Sequence, residues 1–137
     1  MLELHTRLRR ALRVRTLKTW PDPRPPLAQI ELLRHIATNP GTPMKGAAVA
    51  LRLAPNTIST LARDLLRAGL IDRRPCPTDS RSTLLYLSLL GHRRVRAWRD
   101  AREAILEEAL QRLPENQRNQ LERSVGALES LLSEVEA

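Results

Sequence analysis

The chain has 137 residues, 42% of them hydrophobic and only 2% aromatic, with a net charge of +8. That apolar content excludes a disordered chain. No stretch approaches the roughly 18 consecutive apolar residues a membrane helix needs, and with aromatics so scarce the core falls to Leu, Ala, Val and Ile, the composition of packed helices. The single cysteine, Cys76, excludes an internal disulfide and fits a reducing cytoplasm; the opening MLELHTRLRR is amphipathic and does not read as a secretory signal.

The first element is an amphipathic helix over 2–18, with Leu4, Leu8, Leu12, Ala11 and Val14 on one side and Arg7, Arg10 and Arg13 on the other. WPDPRPP at 20–26 breaks it, because so dense a run of proline cannot continue a helix. Helical periodicity resumes from Leu27 to Thr38 through Ile30, Leu33 and Ile36, and NPGTP at 39–43 ends it. A short third helix follows, for which Thr42 is the expected N-cap and Pro43 the first helical residue, with Met44, Ala47, Ala48 and Leu51 facing inward. The next helix spans 54–68, opened by Pro55 and closed by Gly69. LIDRR and TLLYLSL then predict a two-stranded hairpin whose tip is PCPTDSRS. From Gly91 a long helix runs to about Leu113, Pro114 interrupts, and a last helix repeats Leu121, Val125, Leu128, Leu132 and Val135 at heptad spacing.

The helix over 54–68 carries two different faces. Ile58, Leu61 and Leu65 form a core stripe, whereas Asn56, Thr60, Arg63 and Arg67 recur on a polar face whose only acid is Asp64. The charge is segregated as well. Residues 41–100 hold 11 basic and 4 acidic groups, and residues 101–137 hold 4 and 8. A local positive field of this kind attracts polyanions.

A short helix, a tight turn and a helix with a polar outer face form a helix-turn-helix, whose second helix enters the DNA major groove. On this reading Asn56 pairs with adenine or phosphate, Arg63 grips guanine, and Thr57, Ser59 and Thr60 meet phosphates or thymine methyls. Thr42 and Lys45 approach the phosphate backbone, and Arg73 and Arg74 add phosphate contacts from the first strand. Arg81 at the hairpin tip, beside Asp79 and Ser80, enters the minor groove, with Asp79 orienting an arginine. Ala54 is a poor cap, which leaves the first amides of this helix open to a phosphate. The apolar stripes of the first and last helices exceed what a three-helix core absorbs, so Leu4, Leu8, Leu121, Val125, Leu128 and Leu132 are expected in a two-fold dimer interface.

The run LAPNTISTLARDLLRAGLIDRRPCPTDSRSTLLYLSLLG resembles the MarR family of bacterial transcriptional regulators. Its marks are the recognition helix, Gly69-Leu70-Ile71 with Arg73, the wing Asp79-Ser80-Arg81, and Leu87-Ser88-Leu89-Leu90-Gly91, in which Ser88 stands where the family usually has Thr. The resemblance implies a mainly α fold with a β-hairpin wing: a winged helix-turn-helix over 27–91, flanked by an N-terminal dimerisation helix and Pro-rich linker (1–26) and C-terminal dimerisation helices (92–137). It further implies a cytoplasmic, nucleoid-associated homodimer on a near-palindromic double-stranded operator. Such a protein is commonly a repressor relieved by a small phenolic or anionic effector, with no cofactor and no metal. By the same analogy His5, Arg9, Trp20 and His35 are candidate pocket residues, although His35 on a mostly apolar helix and Trp20 before Pro21 also suit structural roles. Some members of the family sense oxidants through cysteine, and arginines near Cys76 would lower its thiol pKa.

An enzyme is disfavoured: His5, His35 and His92 with one cysteine give neither metal-ligand spacing nor a triad, and no Gly-rich phosphate loop is present. The alternatives to an operator-specific regulator are a winged-helix protein-interaction module and an unspecific nucleic-acid binder.

Overall fold

The computed structural model describes residues 1–20 and 25–137, so the proline-rich break read at 20–26 lies largely outside the described residues. The chain divides into two compact units, Thr19–Asp100 and Met1–Lys18 with Ala101–Ala137. Among the described residues no helix is long and apolar enough to cross a membrane.

The first unit contains α2 (Leu27–Thr38), β1 (Thr42–Pro43), α3 (Met44–Leu51), α4 (Pro55–Arg67), β2 (Ile71–Pro75), β3 (Thr83–Leu87) and the start of α5 (Leu89–Gln111). Its core joins Leu32, Leu33 and Ile36 of α2, Ala47 and Ala48 of α3, Ile58, Leu61, Ala62 and Leu65 of α4, and Ile71, Leu85 and Leu87 of the sheet. The helical stripes named from periodicity therefore converge on one apolar centre. Alanines at the α3 positions keep that short helix close to its neighbours.

The sheet differs from the predicted hairpin. It has three antiparallel strands in the order β1-β3-β2, because Thr42 and Pro43 pair with Leu85 and Leu84. This also corrects the start of α3. Pro43 is extended at the N-cap position, the helix begins at Met44, and no side chain caps it. Thr42 is buried in the strand instead, its hydroxyl 3.2 Å from His35 Nε2. β2 and β3 pair from Ile71↔Leu87 to Pro75↔Thr83, with Leu85 and Leu87 on the core side. Their period-two burial explains how a Leu-rich segment serves as a strand.

Two turns set the angle of α4. Arg52, between α3 and α4, adopts the left-handed conformation at φ 54°. Gly69 takes φ 70° just beyond the end of α4, where a side chain would be strained. The Leu70 amide then donates back to Leu65 O at 3.0 Å.

Ser88 ties this corner to the start of α5. Its hydroxyl donates to Gly69 O at 2.6 Å and accepts from the Gly91 amide at 3.0 Å, and its own amide donates to Leu70 O at 3.1 Å. As the N-cap of α5, serine performs the hydroxyl role that threonine also allows. Gly91 packs so tightly there that an added Cβ would lie 2.0 Å from Leu70 O.

The second unit contains α1 (Leu2–Thr19) up to Lys18, the later part of α5, and α6 (Glu115–Glu136). Within it Arg15 and Arg112 both pair with Glu108. Ile105 is buried, whereas no residue of α6 is. Leu4 and Leu8 on α1 are 66% and 52% exposed, and Leu121, Val125, Leu128 and Leu132 on α6 are 48–57% exposed.

Gly91→Ala should lower stability by about 3 kcal/mol, because backbone cannot retreat as a side-chain tip can. A urea titration of the full chain reads this as a drop in midpoint with little change in slope.

Candidate nucleic-acid interface

α4 buries Ile58, Leu61, Ala62 and Leu65 and exposes Asn56, Thr57, Ser59, Thr60, Arg63 and Arg67. The outward side chains divide into two sets. Ser59 donates its hydroxyl proton to Pro55 O at 2.9 Å and Thr60 donates to Asn56 O at 3.0 Å. Their protons are committed to the helix, so each offers outward only an oxygen acceptor and, for Thr60, a methyl group. Asn56, Thr57, Arg63 and Arg67 have no side-chain hydrogen bond or ion pair among the described residues. Their donors remain available. Ala54 makes no side-chain cap, so the first amides of α4 are likewise open.

Neighbouring elements extend this surface. Ser59 Oγ lies 3.9 Å from Sδ of Met44, which brings the first turn of α3 beside the first turn of α4. Exposed Lys45 follows Met44, and its charge acts on Asp79 at the wing tip. The helix pair and the wing therefore share one side of the unit. On β2, Arg73 is exposed, and the Arg74 guanidinium lies over the Tyr86 ring, 4.5 Å from its centroid. That stacking occupies a face of the guanidinium and leaves its N–H edge free.

The wing tip is organised by a carboxylate. The Arg81 amide donates to Asp79 Oδ1 at 2.9 Å and the Ser82 hydroxyl donates to Oδ2 at 2.9 Å. These bonds, first the Arg81 amide and then Ser82, hold the Asp79 carboxyl below its ordinary value against burial, with Lys45 helping. Asp79 thus positions Arg81 through its backbone, leaving the exposed guanidinium unpaired among the described residues. Ser80 is exposed beside it. Cys76 also departs from the electrostatic expectation. The Thr78 hydroxyl at 3.3 Å and the Thr78 and Asp79 amides lower its thiol pKa, with burial and the Asp79 charge opposing.

Thr42 does not join this surface, since it is buried against His35. His35 in turn lies near Asn39, whose Nδ2 is 3.4 Å from His35 Nδ1. Arg52, exposed on the turn ahead of α4, is a cation that sequence reasoning passed over. Its signal is the left-handed turn itself, a position where glycine is the easier residue.

A cavity of about 250 Å³ lies within the same unit. Its walls include Trp20, Gln29 and Leu33, Ala68 and Leu70 after α4, and Arg94 and Trp98 of α5. The Trp20 and Trp98 rings meet at 57° with centroids 5.4 Å apart. Both indole N–H groups are buried with no hydrogen-bond partner among the described residues, an arrangement that costs about 1–3 kcal/mol per donor. Of the four proposed pocket residues Trp20 lines this cavity; His5 and Arg9 are exposed on α1, and His35 is engaged with Thr42.

Comparison with known proteins agrees with this geometry. A sequence model of the MarR family matches residues 25–82. An HTH-type transcriptional regulator of Mycobacterium leprae is 33% identical over 131 residues, covering 93% of this chain and 87% of the relative. The chain belongs to the MarR family. A transcriptional regulator from Thermotoga maritima superposes with a TM-score of 0.84 at 20% identity, covering 96% of this chain and 93% of the other. A variant of MepR from Staphylococcus aureus, bound to an oligodeoxyribonucleotide, gives a TM-score of 0.72 at 20% identity over 95% and 96% of the two chains. At these identities the structural likeness is one of fold, that of a winged helix. This MarR protein is a DNA-binding transcriptional regulator, and the family and relatives it matches are regulators, not enzymes.

The lowered pKa of Asp79 sets a pH window. A depressed carboxyl contributes to the pinned wing above its unfolded value and loses that contribution as pH falls through its lower folded value. The Arg81 amide resonance should therefore titrate with a midpoint below the ordinary 3.8. Asp79→Ala should abolish that titration.

Proposed function

We propose that the protein is a homodimeric repressor that recognises a near-palindromic operator, with α4 in the major groove and the 75–82 wing in the minor groove. The observation that carries this reading is the set of unpaired donors on α4, Asn56, Thr57, Arg63 and Arg67, beside Lys45 and Arg81. Arginines without carboxylate partners form a strongly positive surface suited to phosphate and base edges. Arg63 reads guanine, Thr60 presents its methyl to thymine, and Arg67, Arg73, Arg74 and Lys45 engage phosphates.

Dimerisation follows from α1 and α6. Leu4 and Leu8 with Leu121, Val125, Leu128 and Leu132 leave apolar stripes on both helices, and no residue of α6 is buried within its own chain. A second copy covers such stripes and sets the spacing of two recognition helices on duplex DNA. The protein then acts on the nucleoid in the cytoplasm, and a small effector in the cavity relieves repression.

Binding to a duplex selected from a random pool, with unrelated competitor and rising salt, tests this. Specific binding should resist the competitor, and log affinity should fall by about 0.9 per phosphate contact for each unit of log salt. Arg63→Ala should cost about 1–3 kcal/mol and relax base preference. Arg81→Ala should weaken all sequences more evenly. Equal loss to any competitor would sink operator specificity.

Removal of residues 115–137 should convert the dimer to a monomer in sedimentation experiments and abolish tight operator binding. A monomeric intact protein would contradict the architecture.

A further inference from the structure

We propose that the outer face of the first turns of α5, built on Arg93, Arg96 and Arg99, is a second contact surface for duplex DNA. It reads no sequence and is separate from the surface of α4 and the wing. A protein seated on one duplex through α4 thereby holds another segment alongside.

Residues 89–100 belong to the same compact unit as α4 and carry four arginines against one acid, Asp100. Gly91 and Trp98 turn one side of α5 inward, and Arg94 lies over the Trp20 ring at 6.0 Å. The other three arginines recur at every third residue on the outer side. Arg93, Arg96 and Arg99 are all exposed, and none makes a side-chain hydrogen bond or ion pair among the described residues. Asp100 is exposed beside them and pairs with none of them.

The helix gains nothing from this arrangement. Like charges three residues apart repel one another, as Arg93 does Arg96 and Arg96 does Arg99. The first turn of α5 holds no acid to complement the helix dipole, and Arg93 follows that turn directly. An anion laid along the outer face relieves the repulsion, which nothing within the unit does.

Duplex DNA is the occupant that fits. The three arginines span about 9 Å of helix axis, while one DNA strand carries a charge about every 3.4 Å, so roughly two or three phosphates lie within reach. Between Arg93 and Arg99 no large apolar side chain is exposed, because Val95 is half-buried and Trp98 is buried. A protein interface is built around an apolar or aromatic centre, whereas phosphates are held by charge alone. The family supplies the polyanion, since this chain is a DNA-binding regulator.

The direction of the ridge makes this a separate surface. Val95 and Trp98 face Ala68 and Leu70, just beyond α4, together with Ile30 and Leu33 of α2. Arg93, Arg96 and Arg99 stand on the opposite side of α5 and point away from the end of the recognition helix. The segment they hold is therefore not the one that α4 reads.

A bridging experiment tests the proposal. The selected duplex is immobilised, the full-length protein is seated on it, and labelled duplex of unrelated sequence is added at low salt. The seated protein should capture the labelled duplex. Log capture should fall with log salt by about 0.9 for each phosphate engaged. Replacing the three arginines together by Gln should reduce capture about tenfold or more, while affinity for the immobilised duplex stays within about twofold. Replacing them by Lys should keep capture. The Gln variant should not unfold at lower urea, because repulsion has been removed.

No capture by the wild-type protein overturns the proposal, as does equal capture by the Gln variant. A lowered urea midpoint would assign the arginines to the fold and overturn it too. Salt-sensitive self-association lost in the Gln variant, without duplex capture, would replace duplex by the acidic 101–137 segment of a second copy. Failure to select any duplex would instead overturn the operator reading, and bridging is then read between two unrelated duplexes.

Discussion

The hydroxyl of Ser88 sits where three elements meet: the end of α4, the first residues of β2 and the first turn of α5. One oxygen donates to the carbonyl that closes the recognition helix and accepts the amide that opens the next helix. Around it the Leu70 carbonyl and Gly91 come together too closely for any side chain. The direction of α4, the start of the wing and the departure of α5 are consequently fixed with respect to one another. The apolar centre beneath resists deformation because Leu32, Leu65 and Leu85, one each from α2, α4 and β3, are fully buried at its middle.

Upon that frame the polar surface divides its tasks by hydrogen-bond chemistry. Ser59 and Thr60 spend their hydroxyl protons on their own helix, whereas Asn56, Thr57 and the arginines of α4 remain uncommitted. The wing reverses the usual role of an acid near DNA: Asp79 is spent internally on the Arg81 amide and the Ser82 hydroxyl. A negative group thus shapes a loop whose outward charge is positive.

The helices were legible because apolar residues recur at helical spacing and because proline and glycine mark their ends. Ile58, Leu61 and Leu65 are buried as that spacing requires, and Asn56, Arg63 and Arg67 are exposed. The third strand was not legible. Two residues, Thr42 and Pro43, are too few to show a period, and their pairing with Leu84 and Leu85 depends on the fold. Thr42 consequently read as a cap, although its hydroxyl serves His35. The Cys76 thiol was expected to respond to arginine charge, and nearby Thr78 acts on it through hydrogen bonds instead. The cavity was the least legible feature. Trp20 and Trp98 stand far apart in sequence, and only packing reveals that their N–H groups both lack an acceptor among the described residues.

The turn before α4 links two properties at one position. Arg52 holds a left-handed conformation at φ 54° that glycine adopts without steric cost, a difference of about 1 kcal/mol. Drift to glycine there would strengthen the fold and remove one exposed positive charge from the approach to the recognition helix. Thermostability and affinity for a polyanion are therefore opposed at this residue, so a variant selected for heat resistance alone would tend to discard the arginine.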